Sequence, residues 1–170
     1  HLGVGPGQLP SQRGFERTVA LADSGADNWE QRPYIPLYDK ANWYADGEEY
    51  QLPEDFYSSR FLVDKTIEFI DSKLDDGRPF FAYLPYNTPH SPMQVPDRWW
   101  NKFKDKQLDM HNRDPKRENL PHIRAALAMC ENIDWNVGRV LAKLDQLQLS
   151  DHTIVVYFCD NGPNGWRWNG

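Results

Sequence analysis

The sequence predicts an α/β domain, a mostly parallel sheet flanked by helices. Three observations carry that prediction. Two stretches have the apolar period of amphipathic helices, 56–74 and 121–149. Each is followed by a short apolar run, 78–86 and 154–159, and each run stops at a polar turn. Strands joined in succession through helices form parallel sheets with right-handed crossovers, and a run apolar along its whole length suits a strand covered on both faces.

Taken in order, residues 1–53 show no sustained period. Glycines, prolines and aromatics are scattered through them, as in Gly3-Val-Gly-Pro-Gly7 and Arg32-Pro-Tyr-Ile-Pro36. They read as a long ordered loop region, of a length that usually serves as a functional rim. In the first helix Val63, Ile67, Ile70 and Leu74 form one stripe, with Ser58 or Ser59 as its cap and Gly77 after its end. Asp75-Asp76 resembles a metal-binding carboxylate pair but, following a helix and preceding a glycine, reads as a solvated loop. The first strand then ends in Asn87-Thr-Pro-His90-Ser-Pro92, where two prolines stiffen the backbone around a histidine.

Residues 104–119 mix both charge signs and read as a solvated connection, with His111 exposed. In the second helix Asn119 is the expected cap and Pro121 suits the first turn. Its stripe is Ile123, Leu127, Cys130, Asp134, Val137, Leu141 and Leu144. Asp134 interrupts it and is expected at its edge, paired to an arginine or a backbone amide. Gly138 is expected to mark close packing on the sheet. Ser150-Asp-His-Thr turns the chain into Ile154–Cys159, which is β-branched and aromatic and stops at Asp160-Asn161-Gly162-Pro163.

Open α/β sheets place ligands beyond the C-terminal ends of their strands. His90 and the Asp160-Asn161 pair both fall there. A carboxylate beside an amide carbonyl offers hard oxygen donors for Ca²⁺ or Mg²⁺. The same residues equally favour a plain turn, and a loop histidine is often only a surface residue, so both readings stand at this point.

The chain has 170 residues, 39% hydrophobic and 26% charged, which is a globular composition. A net charge of −6 argues against a nucleic-acid partner. No uninterrupted apolar stretch approaches the length of a bilayer span. The first residue is His1, so the true N-terminus is expected upstream. Neither Cys130 nor Cys159 lies in a Cys-x-x-Cys pair, and both are expected to be buried free thiols. Seven Trp and eight Tyr are expected mainly in the core.

Five stretches occur in a telling order: His1-Leu-Gly3, Pro10 to Phe15, Phe80 to Pro92, Glu131 to Leu141, and Asp160-Asn-Gly162. Together they resemble the sulfatase family of the alkaline-phosphatase-like superfamily. His1-Leu-Gly3 resembles the end of its Gly-Lys-Trp-His-Leu-Gly motif. Pro10 to Phe15 resembles its next Pro…Gly-Phe element, and Pro85-Tyr-Asn-Thr-Pro-His-Ser-Pro92 its sulfate-site histidine loop. The last two stretches resemble the helix before the metal-binding strand and that strand's end.

The resemblance implies a Ca²⁺-dependent enzyme, with Mg²⁺ the second choice, that hydrolyses sulfate esters at a formylglycine made from Cys or Ser. It makes Asp160 and Asn161 metal ligands, has His90 donate a hydrogen bond to sulfate, and has His1 contact the formylglycine and act as base. The substrate would be a sulfated small molecule or a sulfated carbohydrate. The location would be secreted, periplasmic or lysosomal. The chain holds no Cys/Ser-x-Pro-x-Arg, and neither cysteine is placed to be the nucleophile. Residues 1–170 are therefore expected to be an internal piece of the catalytic domain, inactive in isolation. A phosphodiesterase or phosphonate hydrolase of the same superfamily is the runner-up. A noncatalytic carbohydrate-binding module, suggested by Trp166-Arg-Trp168, is the reading from another class.

Overall fold

Aromatic side chains decide the first half of the chain. Trp43 is 1% exposed and packs edge-on to Phe56 and Phe61, with ring centroids 5.4 and 6.3 Å away. Ala26, Ala41 and Leu62 complete this core, and Val19, Leu21, Tyr50, Leu52 and Leu84 lie against it. The computed structural model describes residues 5, 7–23, 25–74, 77–109, 116 and 118–162. They divide into two units, His1–Gln94 and Val95–Gly170, taken here in turn. His1, Asp75, Asp76, His111 and Trp166 to Trp168 lie outside the described residues.

In the first unit, a single 3₁₀ turn at Pro10–Gln12 leads to three short strands, β1 (Val19–Leu21), β2 (Trp43–Ala45) and β3 (Glu48–Glu49). They form an antiparallel sheet in sequence order, with Leu21 opposite Trp43 and Tyr44 opposite Glu49. This corrects the expectation of a loop free of strands over residues 1–53. The overlooked signal was Asp46-Gly47, an Asp-Gly hairpin turn whose residues both have positive φ, 51° and 96°. Strands of two or three residues are too short to show a period.

Helix α1 (Ser58–Ser72) lies where the apolar stripe predicts it. Val63 and Ile70 are buried, Ile67 is half-buried and Leu74 is exposed. Ser58 and Ser59 do not cap the helix; Tyr57 holds the cap position without a side-chain bond, and both serines are buried. Residues 79–86, expected to form a strand, join no ladder among the described residues. Leu84 reaches the core and Phe80 meets Phe69 edge-on at 6.1 Å, whereas Phe81 and Tyr83 are exposed.

Among the described residues the second unit has two α-helices, α2 (Asp97–Phe103) and α3 (Leu120–Gln146). The sequence reading omitted α2, which is under two turns long. The start of α3 is as expected: the Asn119 side chain accepts from the His122 amide at 3.1 Å, with Pro121 in the first turn. Helix α2 packs on α3 through the buried Trp99 ring, 5.6 Å from that of Trp135, and Lys102 pairs with Glu131.

The buried face of α3 differs from the predicted stripe. Ile123 and Leu144 are shared, but Ala125, Ala128, Met129, Asn132, Ile133 and Asn136 are buried, while Cys130, Asp134 and Leu141 are exposed. Asn136 is buried without penalty because its amide donates to the Asn132 carbonyl at 3.0 Å. Asp134, expected at the stripe's edge and paired to an arginine or a backbone amide, is exposed, so its charge needs no such partner. A Cβ on Gly138 would meet nothing within 4 Å, so that glycine marks no close approach.

A 3₁₀ turn, Ser150–His152, leads into the apolar run. Thr153 is extended, but no strand pairs with residues 153–159 among the described residues, and Ile154 is 92% exposed. Burial on both faces was the expectation. A strand gains burial and backbone hydrogen bonds only from neighbouring strands and covering helices, and these are not among the described residues. Both cysteines are free and exposed, contrary to the expectation of buried thiols.

Candidate active site

His90 sits in an exposed turn whose supports are buried. The turn closes when the His90 amide donates to the Asn87 carbonyl at 3.2 Å. The hydroxyls of Thr88 and Ser59 meet at 2.9 Å, tying the turn to the first residues of α1. On the other side the Asn28 amide nitrogen Nδ2 donates to the Pro92 carbonyl at 3.4 Å, and the Asn28 backbone N–H donates to Gln94 Oε1 at 2.8 Å. Ser58 Oγ donates to Asn28 Oδ1 at 2.6 Å. The two serines are thus polar braces.

Asp27 anchors the same network. Its Oδ1 accepts from the Trp29 and Glu30 amides at 2.8 and 3.0 Å, and its Oδ2 accepts from Gln94 Nε2 at 2.7 Å and from Arg32. Burial pushes the Asp27 carboxyl up, but these four donors outweigh it and hold the group below its ordinary value. Burial also pushes the Tyr57 phenol up to about 12. It therefore stays a neutral donor, reaching the Gln94 carbonyl at 3.4 Å.

The His90 ring itself meets a carbonyl and an aromatic ring. Its Nδ1 is 2.7 Å from the Ser91 carbonyl oxygen, and the Tyr34 ring stands at 87° to it, centroids 5.7 Å apart. Asn87 Nδ2, on the same turn, is buried with no hydrogen-bond partner among the described residues. The sequence predicts a histidine in a constrained turn from its flanking prolines, and buried side chains hold that turn here. The braces themselves went unread. An Asp27 side chain bonding amides two and three residues on is a local signal that could have revealed one of them. Pairings 30 and 67 residues apart, Asn28 with Ser58 and Asp27 with Gln94, leave no local trace.

Asp160 and Asn161 form an exposed bend at the end of the apolar run in the second unit. Their side chains carry the carboxylate and amide oxygens that suit a hard cation, so the donor chemistry fits Ca²⁺ or Mg²⁺. Two donors fall well short of the roughly six to eight oxygens of a Ca²⁺ site. Among the described residues no three His, Cys, Asp or Glu side chains gather to hold a metal. His90 and the Asp160-Asn161 bend belong to different units.

The model of the sulfatase family matches residues 5–165. An uncharacterized sulfatase of Schizosaccharomyces pombe is 26% identical over 212 residues, covering 97% of this chain and 38% of that protein. An arylsulfatase of Klebsiella aerogenes is 25% identical over 201 residues, covering 96% of this chain and 43% of its own length. The crystal structure of Ps i-CgsB in complex with k-i-k-neocarrahexaose shares the fold, with a TM-score of 0.66 over 86% of this chain and 32% of its own, at 22% identity. The chain therefore spans less than half the length of these relatives, and its α/β class is the one they share. A match running from residue 5 to residue 165 takes in both units and both candidate turns, and the chain belongs to the sulfatase family.

Proposed function

We propose that the protein carrying this chain hydrolyses sulfate esters, with residues 1–170 as an internal part of its catalytic domain. The observation that carries the reading is the His90 turn: an exposed imidazole held by a buried polar network, in a chain of the sulfatase family. His90 contacts the sulfate group. Asp160 and Asn161 supply two of the oxygens that hold a divalent cation, Ca²⁺ before Mg²⁺. When bound, such a cation polarises a sulfate oxygen and offsets negative charge developing in the transition state. His1 is assigned the base at the nucleophile. The nucleophile, a formylglycine, is assigned to residues beyond these 170, since no Cys/Ser-x-Pro-x-Arg occurs in them.

The substrate class extends from aryl sulfates, matching the arylsulfatase relative, to sulfated saccharides, matching the saccharide held by the structural neighbour. A secreted, periplasmic or lysosomal location belongs to the same proposal, and fractionation of the natural source tests it. The activity test uses the longest natural reading frame containing these residues. It should turn over an aryl sulfate in the presence of Ca²⁺ and lose both bound metal and turnover on Asp160→Ala. The isolated 170 residues should show none. Turnover of an aryl phosphodiester in preference to the sulfate would move the protein to the phosphodiesterase branch. Saccharide binding that survives Asp160→Ala, without turnover of either ester, would make it a binding module.

A further inference from the structure

We infer that Tyr34 is a positioning residue for His90: with the Ser91 carbonyl it holds the imidazole as the Nδ1–H tautomer and leaves Nε2 as the nitrogen that meets ligand. The tautomer follows from the 2.7 Å separation between Nδ1 and the Ser91 carbonyl oxygen. A carbonyl oxygen only accepts, so Nδ1 must carry a proton. In the neutral ring Nε2 then bears a lone pair.

The orientation follows from the wall beside the ring. Tyr34 stands edge-to-face against the imidazole at 5.7 Å. Gly25, at φ +102°, lies beside both rings: an added Cβ would make ordinary contact, 3.8 Å from His90 Nδ1 and 3.7 Å from Tyr34 Cδ1. The ring cannot turn over without breaking its bond to Ser91 and displacing the Tyr34 ring, which is itself 45% exposed on its outer side. The phenol of Tyr34 is the titratable group facing the imidazole. No charged side chain among the described residues forms an ion pair with it.

The consequence concerns how an anion is held, and it rests on the assignment of His90 to sulfate. Facing an oxyanion, the neutral ring presents a lone pair, which repels. The imidazolium presents Nε2–H, which donates a charge-assisted hydrogen bond. Anion binding at His90 is therefore linked to uptake of one proton.

The test is nitrogen-15 NMR of the His90 ring in the 170-residue chain, with inorganic sulfate as the probe. The neutral ring should be predominantly Nδ1–H in the wild type and in Tyr34→Phe, which keeps the aromatic wall. It should become a mixture of tautomers in Tyr34→Leu, with the circular dichroism unchanged. A predominant Nε2–H form in the wild type, or a Tyr34→Leu ratio equal to the wild-type ratio, overturns the inference. Sulfate should shift the ring resonances in acid and lose that effect in base; equal shifts in both overturn the proton linkage. An Nδ1–H ring that ignores sulfate at every pH supports the positioning role and overturns the assignment of His90 to sulfate.

Discussion

The turn bearing His90 and the bend bearing Asp160 and Asn161 both close an apolar run, and they are held in opposite ways. The first run has one side anchored, through Leu84 in the aromatic core and Phe80 on Phe69, and its turn is tied down by Ser59, Asn28 and Gln94. The second run exposes Ile154, Val155, Val156, Tyr157 and Phe158 alike, and the bend that follows is exposed too. A site residue supported by side chains of its own unit is positioned by that unit. A site residue at the end of a sheet strand is positioned by whatever strands and helices flank it, and for Asp160 these are not among the described residues.

The comparison breaks hardest at Asp27. Asp27→Ala leaves the donors of Gln94, Trp29 and Glu30 unmatched around a buried gap, and should cost about 3 kcal/mol of unfolding free energy in urea titrations. The exposed Arg32 partner contributes little of that. Ser59→Ala strands the buried Thr88 hydroxyl and should cost about 1–2 kcal/mol. Acid probes the same network without mutation. The folded Asp27 carboxyl sits below its ordinary value, so the unfolded chain takes up the proton first and protonation favours unfolding. This contribution to stability is fully present above the ordinary carboxylate value of about 3.9 and is lost as pH falls through the folded one. The urea midpoint should therefore drop on acidification through that window, and Asp27→Asn should flatten that part of the dependence. The smallest effect belongs to the other run: Val156→Ala in the 170-residue chain should change stability by less than about 0.5 kcal/mol, because that side chain is already in water.

What the sequence disclosed divides along the same line. Both long helices were legible because many residues repeat one period, and the Asn119 cap and Pro121 were legible because capping is local. The His90 turn was legible as a constrained loop from its prolines. The face of α3 was not, since Asn132 and Asn136 are polar by composition yet buried through a hydrogen bond within the helix. Nor was the short β1–β3 sheet, whose one local mark is Asp46-Gly47. The run 154–159 has the composition of a buried strand, but burial belongs to the neighbours and not to the run.

Native-state amide hydrogen exchange on the 170-residue chain tests the contrast between the two turns most directly. The account predicts strong protection of the backbone amides of Asn28 and Ser58, which hold the His90 brace together, and exchange close to the unfolded rate along Ile154 to Cys159. Equal protection of both regions would contradict it, because the second run would then be paired and the Asp160-Asn161 bend held by this chain alone.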